Sequence, residues 1–248
     1  MSGHSQFANI KHRKGAQDAK KAKLFTKILR EITVAAKSGQ PDPNFNPRLR
    51  NAIIEARTNN MPKDRVDAAI KKASGSADGE NFEEIRYEGY APSGIAIIVE
   101  ALTDNRNRTA SEVRSIFTKF GGALGETGSV GFMFDRVGVI QFDEKIASEE
   151  KMFEAALEAG ADEVESSSEV HVVITSPENF TTVRDDLIEK FKDPLSAKLD
   201  WKAKVVNEIS DLEQAQKLMK MIDVLEDCDD VQAVTGNYIF SDEVAGKI

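Results

Sequence analysis

The protein has 248 residues and a formal net charge of -9 at neutral pH, so it is long enough for two or three domains of ordinary size. Cys228 is the only cysteine, which excludes an intramolecular disulfide framework and a multi-cysteine metal cluster and indicates a reducing compartment. The longest apolar run, residues 95–99, is far shorter than the ~20 residues that span a bilayer, and the first residues lack a secretory signal. We therefore expect a soluble, cytoplasmic protein.

Charge is distributed unequally along the chain. Residues 1–72 contain 16 Lys and Arg against 6 Asp and Glu, a net charge of +10, whereas residues 73–248 carry -19. Such asymmetry suggests that the basic end contacts a polyanion and that the acidic remainder is repelled from it. The alternative is that both parts are merely solvated surface.

The first predicted helix runs from Asp18 to Lys37 and has two distinct faces. Its apolar residues recur at helical spacing, and Gly39 is placed to end it. On a helical wheel the basic residues fall in one sector away from that apolar stripe. This sector contains Lys20, Lys23, Lys27, Arg30 and Lys37. We predict that Lys20, Lys23, Lys27 and Arg30 follow the backbone phosphates of a nucleic acid, joined by Arg48 and Arg50 of the next helix.

Two further helices complete a small predicted bundle. One runs from Pro47 to Asn59 with Asn46 as its cap, and another begins at Asn60 to Pro62. The linker-like SGSADG that follows places a domain boundary near residue 76. The first predicted domain is therefore a basic helical one, residues 1–76.

Strands and helices alternate after this linker. We predict strands over 85–90, 95–102 and 130–134, a helix over 105–120 capped by Asp104, and a closing helix and strand over 210–240. Between Val137 and Val206 the order is strand, helix, strand, strand, helix, strand, which is the ferredoxin-like βαββαβ arrangement. The prediction is an α+β protein: a basic helical bundle, a sheet domain of residues 80–135 plus 207–248, and an inserted ferredoxin-like domain of residues 136–206.

Some of these elements carry local signals that make sharper predictions. The last strand of the insertion alternates, so Leu199, Trp201, Ala203 and Val205 are expected to face the core. Ser210 and Glu213 form a predicted capping box for the closing helix. His171 lies among valines and is expected to be a strand residue with its hydrogen bonds satisfied.

The opening arm, Gly3 to Lys14, has no acidic residue and combines cations with rings. Its cations would neutralise phosphates, and its rings could stack on unpaired bases, each contact contributing about 1 to 3 kcal/mol. The predicted contact residues are His4, Phe7, Asn9, Lys11, His12, Arg13 and Lys14. The alternative is an ordinary disordered terminus.

The chain offers little for catalysis or metal binding. His4 and His12 match no structural zinc spacing, and no nucleophile and base pair can be singled out. The glycine-rich GGALGETGSVG lacks GK[ST] and follows a helix, so a bend or hinge is favoured over a phosphate loop. We expect no catalytic residue, no cofactor and no metal.

A candidate anion site lies at Arg106 and Arg108, at the start of a predicted helix where free N–H groups favour anions. Capping by Asp104 with two solvated arginines is an equally good interpretation. The sequence leaves both open.

The stretch GHSQFANIKHRKGAQDAKKAKLFTKILREI resembles the YebC family of bacterial proteins and its mitochondrial relative, the translational activator of cytochrome c oxidase subunit I. The likeness continues through NPRLR, NNMPKDRV, EEIRYEGYAPSGIAIIVEALTDNRNRTASEVR and GSVGFMF. It implies three domains with the third inserted into the second, and it implies contacts by the arm residues above and by the 20–30 face. Gln6 and Phe7 depart from the family, where many relatives have Lys and Trp.

We therefore predict a non-enzymatic, nucleic-acid-binding regulator of gene expression of the YebC type, a family described as DNA-binding transcriptional regulators. One alternative, also described for the family, is a ribosome-binding translation factor that contacts ribosomal RNA through the arm and relieves stalled synthesis. A second alternative is a protein-interaction scaffold that acts through the acidic domains. The expected partners are DNA or ribosomal RNA, with the ribosome as a further candidate and no membrane.

Overall fold

The computed structural model describes residues 17–75 and 82–248, and side chains from residues 21–74 and 82–248. Contacts divide the described chain into two compact units. One unit comprises residues 28–75 and 136–201, and the other comprises residues 17–27, 82–135 and 202–248.

Three helices open the described chain: α1 (Gln17–Ser38), α2 (Pro47–Thr58) and α3 (Lys63–Gly75). Asn46 joins the first two by hydrogen bonding in both directions. Its side-chain oxygen accepts from the Leu49 N–H at 3.0 Å and caps α2, while its amide donates to the Ala35 carbonyl at 2.8 Å. One buried side chain thus satisfies orphan groups at the start of one helix and near the end of another.

The sheet domain begins with an antiparallel pair, β1 (Glu83–Tyr90) and β2 (Ala96–Thr103), followed by α4 (Arg106–Lys119) and the two-residue β3 (Ala123–Leu124). β2 is almost wholly buried because its continuous apolar run lies at the centre of the sheet. The expected cap of α4 is wrong: Asn105, not Asp104, accepts from the Arg108 N–H. The expected strand over 130–134 is also wrong, since residues 131–133 form a 3-10 turn.

The insertion has the predicted order of elements: β4 (Phe134–Asp143), α5 (Glu149–Ala159), β5 (Glu163–Ser166), β6 (Val170–Thr175), α6 (Phe180–Phe191) and β7 (Ser196–Ala203). Its sheet has the order β5-β6-β4-β7, so β6 lies between the two strands that α5 connects. β6 is antiparallel to both neighbours, as in a split βαβ unit. This confirms the ferredoxin-like prediction.

The core of the insertion lies between its sheet and α5 and α6. His171 is buried in β6 with Nδ1 2.8 Å from Ser166 Oγ and Nε2 3.0 Å from the Ala147 carbonyl oxygen, as a satisfied strand residue should be. The alternation expected of β7 is only partly right. Ala203 is buried, but Leu199 is 39% exposed and Asp200, on the expected polar face, is buried.

After the insertion the chain returns through β8 (Asn207–Ile209), α7 (Leu212–Glu226), β9 (Val231–Gly236), β10 (Tyr238–Phe240) and α8 (Asp242–Ala245). β9 pairs with β2 and completes a sheet of order β3-β1-β2-β9, against which α4 and α7 pack. Asp211, rather than Ser210, caps α7. The N–H of Lys204 donates to the Met133 carbonyl at 2.9 Å, so the points where the chain leaves and re-enters this domain are adjacent.

Candidate nucleic-acid interface

The predicted arm lies outside the described residues. This applies to His4, Phe7, Asn9, Lys11, His12, Arg13 and Lys14, and also to the side chain of Lys20. Their contact with nucleic acid stays a prediction from the sequence.

Two lysines of the predicted basic sector contact the C-terminal end of α7. Lys23 Nζ lies 3.2 Å from an Asp227 carboxylate oxygen and donates to the Asp227 carbonyl at 3.1 Å. Lys27 Nζ donates to the Glu226 carbonyl at 2.6 Å. Burial lowers the pKa of Lys27, although Glu226 and Asp227 oppose that shift. Cations at the carbonyl end of a helix are stabilised by its dipole, so the protein itself supplies backbone carbonyl partners for both ammonium groups and a carboxylate for Lys23. The side chain of Arg30, further along α1, is half-buried.

The two arginines predicted on α2 are likewise engaged within the protein. Arg48 forms a bidentate pair with Glu31 of α1, with Nε–Oε1 and Nη2–Oε2 distances of 2.5 and 2.9 Å. Arg50 Nη1 donates to Asp185 Oδ2 at 2.8 Å, and the same guanidinium donates to two backbone carbonyls at 3.0 Å. Planar guanidinium groups favour such multiply bonded sites. The structure therefore places Arg48 against α1 and Arg50 against α6.

Further contacts show that α2 packs along α6 and the loop after it. Arg57 pairs with Asp193 at 2.5 Å, and the Thr58 hydroxyl donates to the Pro194 carbonyl at 3.1 Å. Arg184 is fully buried and donates to both Asn51 and Asp185. The basic character of α2 thus serves partly to join the helices to the insertion.

α3 presents cations that the sequence analysis did not single out. Lys63, Arg65 and Lys71 are exposed, while Val66 and Ala73 on the opposite side are buried. Asp64 and Asp67 are also exposed on this helix, so its outer surface has mixed charge. The signal was available as Lys and Arg at outward helical positions.

The candidate anion site contains a carboxylate of the protein itself. Arg108 Nη2 donates to Asp104 Oδ1 and to Asp230 Oδ2, each at 2.8 Å. The hydroxyl groups of Thr103 and Thr109 donate to the same Asp230 oxygen, at 3.1 and 2.6 Å. Burial alone would raise the pKa of Asp230, but these hydrogen bonds hold it below its ordinary value. Arg106, the first residue of α4, is exposed, and its contact with an anion stays a prediction from the sequence.

The glycine-rich loop donates its amides to a buried glutamate. Glu88 Oε2 accepts from the N–H groups of Val130 and Gly131 at 2.9 and 2.7 Å. Burial opposes ionisation, but these bonds and Arg86 hold the pKa of Glu88 below its usual range. The Val130 and Gly131 amides are thus bound to a carboxylate of the protein itself.

The described residues contain no group of three or more His, Cys, Asp and Glu side chains that could hold a metal ion. In the same part of the chain no helix is both long and apolar enough to cross a membrane.

The fold and these contacts define a class of α+β protein in which a basic helical segment precedes a sheet domain with a ferredoxin-like insertion. Residues 5–76 match the model of the TACO1/YebC N-terminal domain, and residues 82–238 match that of the TACO1/YebC second and third domain. The chain belongs to the TACO1/YebC family.

Individual relatives are similar over nearly the whole chain. Proteins from two strains of Rickettsia bellii, each named a probable transcriptional regulatory protein, are 56% and 55% identical over 244 residues. Those alignments cover 98% of this chain and 95% and 96% of the relatives. A crystal structure of a conserved hypothetical protein from Aquifex aeolicus has a TM-score of 0.88 and 47% identity, covering 97% of this chain and 99% of that one.

Proposed function

We propose that this protein is a regulator of gene expression that binds nucleic acid through its N-terminal residues. The observation that carries the proposal is the net charge of +10 on residues 1–72 in a chain that is otherwise strongly acidic. A polyanion is the partner that such a distribution favours. The names of the Rickettsia relatives support a regulatory role.

The structure bears on which cations do the binding. Lys23, Lys27, Arg48 and Arg50 each have anionic or carbonyl partners within the protein. Replacing those partners by phosphates would cost the interactions already made. We therefore assign the larger share of the binding to the arm, particularly Lys11, Arg13 and Lys14, with a separate contribution from the exposed cations of α3.

The salt dependence of binding tests this proposal. If six phosphates are engaged, the slope of log affinity against log salt is about -4 to -5. Replacing Lys11, Arg13 and Lys14 together by Ala should make that slope shallower by about 2 to 3, because three phosphate contacts are lost. A control of equal charge change replaces the exposed Lys145, Lys151 and Lys220 by Ala and should leave the slope unchanged. A slope near zero for the unaltered protein would contradict docking through phosphates.

A second candidate function is binding to ribosomal RNA, and one observation on α3 favours it. Asp64 is exposed in the first turn of α3, the end that a recognition helix presents to base edges in the major groove. A carboxylate there opposes entry between two phosphate backbones. An arm with rings is better suited to splayed bases of single-stranded RNA.

A direct comparison separates these two targets. Cosedimentation of the full chain with ribosomes would be measured at the same salt concentration as its retention on duplex DNA from a promoter. The arm variant and the charge-matched control would be run in both assays. Arm-dependent binding to ribosomes alone supports the RNA candidate, and arm-dependent retention on the duplex alone supports DNA.

A further inference from the structure

Helix α5 presents an apolar row to solvent that its own domain does not cover. Phe153 is 53% exposed and Leu157 is 63% exposed, although Met152 and Ala156 beside them are fully buried. Phe153 and Leu157 are four residues apart, so their side chains are neighbours on the helix surface. Ile146, in the turn before α5, is 40% exposed. Large apolar side chains grouped outside a core are typical of interaction sites.

An acidic row runs beside the apolar one. Glu150, Glu154 and Glu158 are exposed and also recur at intervals of four, so they lie along the flank of α5 next to Leu157. Lys151 is the exposed cation within α5 itself. The outer surface of α5 is therefore amphipathic, with one apolar flank and one anionic flank.

The anionic flank continues across a cavity onto α6. This cavity has a volume of about 470 Å³ and is lined by Glu158, Ala159, Asp186, Glu189 and Lys190. Lys190 Nζ pairs with Glu158 at 2.6 Å, whereas Asp186 and Glu189 are exposed on the α6 side. A ligand seated on α5 would thus have most of the carboxylates along one side, that of Glu154 and Glu158.

We propose that this α5 surface docks a basic amphipathic helix of a partner protein. Such a helix would place two apolar residues against Phe153 and Leu157 and a row of Lys or Arg against Glu150 and Glu154. Charge complementarity selects this occupant, because the carboxylates would repel nucleic acid and an acidic peptide alike. The apolar row supplies affinity by burial, and the acidic row fixes orientation. This inference goes beyond the proposed function and does not depend on it.

A pair of synthetic peptides tests the proposal. The first is a 16-residue fluorescent helix with two leucines four residues apart and lysines in the adjacent row. The second has the same composition but places its leucines on opposite faces. Binding of each to the full chain is measured by fluorescence anisotropy. We expect the first peptide to bind about tenfold more tightly, because only that peptide buries both leucines together.

Two variants assign this preference to α5. Replacing Phe153 and Leu157 together by Ala should weaken binding of the first peptide about tenfold or more and abolish the preference, because the apolar row is removed. The fold should be retained, since both side chains are exposed and the core is untouched. Replacing Glu150 and Glu154 by Lys should weaken both peptides and reduce their salt dependence. Phe132→Ala, which removes an aromatic side chain that is 68% exposed elsewhere, and Glu126→Lys are single-site controls outside α5, and neither should change the preference.

Three outcomes overturn the proposal. The first is equal binding of the two peptides, which indicates nonspecific attraction to an acidic protein. The second is a Phe153→Ala, Leu157→Ala variant that binds as the unaltered chain does. The third is a dimer of the unaltered chain that this variant converts to a monomer, because the occupant is then a second copy. Nucleic-acid affinity is measured in parallel and should not change in the Phe153→Ala, Leu157→Ala variant, which keeps every charge, so failure here is distinguishable from failure of the proposed function.

Discussion

Arg50 on α2 and Asp185 on α6 are 135 residues apart in sequence, and their side chains form an ion pair with an Nη1–Oδ2 distance of 2.8 Å. The pair shows that part of the positive charge near the start of the chain is matched by carboxylates of the insertion. Arg57, in the last turn of α2, forms a similar ion pair with Asp193. Net charge over a stretch of sequence therefore overstates the cations that remain for a polyanion.

Replacing Arg50 by Ala should leave nucleic-acid binding intact. Its guanidinium already has a carboxylate and two carbonyl partners, so we expect the slope of log affinity against log salt to stay within experimental error. The free energy of unfolding should fall by about 0.2 to 1 kcal/mol, the range for partly exposed ion pairs. Urea unfolding and a salt titration check the two parts. A slope shallower by about 0.7 to 0.9 would show instead that Arg50 contacts a phosphate.

Removal of the exposed cations of α3 should have the opposite effect. A Lys63→Ala, Arg65→Ala, Lys71→Ala variant removes exposed side chains that point away from the buried face of α3. The free energy of unfolding should therefore change little. If each contacts one phosphate, the salt slope becomes shallower by about 2 to 3. Circular dichroism verifies the fold. The charge-matched control at Lys145, Lys151 and Lys220 applies here too, and an unchanged slope in the α3 variant would remove this helix from the interface.

The thiol of Cys228 should react slowly in the folded protein. Burial, reinforced by Glu112, raises the pKa of this thiol to about 12. At pH 8 the thiolate fraction is then roughly a thousandfold lower than for a thiol of ordinary pKa near 9, and the thiolate is the reactive form. Release of thionitrobenzoate from a disulfide reagent, followed with and without urea, measures the difference. Equal rates in both conditions would refute an inert, buried thiol.

Asp230 should stabilise the fold above its ordinary pKa and cease to do so in acid. Because hydrogen bonds hold its folded pKa below the ordinary 3.8, the stabilisation is complete above that value and is lost as pH falls through the folded pKa. Asp230→Asn weakens acceptance from two buried threonine hydroxyls and should cost about 1 to 3 kcal/mol at pH 7.

Urea unfolding at pH 7 and again below pH 3 checks this expectation, since the difference between Asp230→Asn and the unaltered chain should shrink in acid. Asp104→Asn serves as the control because Asp104 pairs with the same Arg108 but is exposed. A difference that is independent of pH would argue against a carboxylate that is ionised in the fold.

Periodicity in the sequence predicted most elements of the fold because each helix and strand must bury one face. Local competition between neighbours explains the errors. Asp104 and Asn105 can both cap a helix, and the pairing of Asp104 with Arg108 leaves the cap to Asn105. In β7 the carboxylate of Asp200 accepts from the Trp201 N–H and pairs with Lys198, which satisfies a buried charge that alternation would place in solvent.

The candidate site was harder to predict because a cation looks the same in sequence whether its partner is a phosphate or a distant carboxylate. Arg48 finds Glu31 within the same helical segment, but Arg50 and Lys27 find partners 135 and 199 residues away. The sequence around Arg50 and Lys27 contains no signal that predicts these contacts. The sequence also did not predict that the apolar row on α5 is exposed, because apolar residues at helical spacing ordinarily indicate a core-facing surface.

The hydrogen bond between Lys204 and Met133 joins the two points of the sheet domain between which the insertion lies. In the topology of the sheet domain, the insertion therefore takes the place of one long loop. Closing a flexible loop costs only about 0.6 kcal/mol more for each doubling of its length, so an insertion of this size adds little to the free-energy cost of folding the sheet domain. If the insertion folds first, its two ends are already close together, and the sheet domain no longer bears the entropic cost of closing that loop. The host sheet can then form β2 against β9 as if the intervening segment were a short turn.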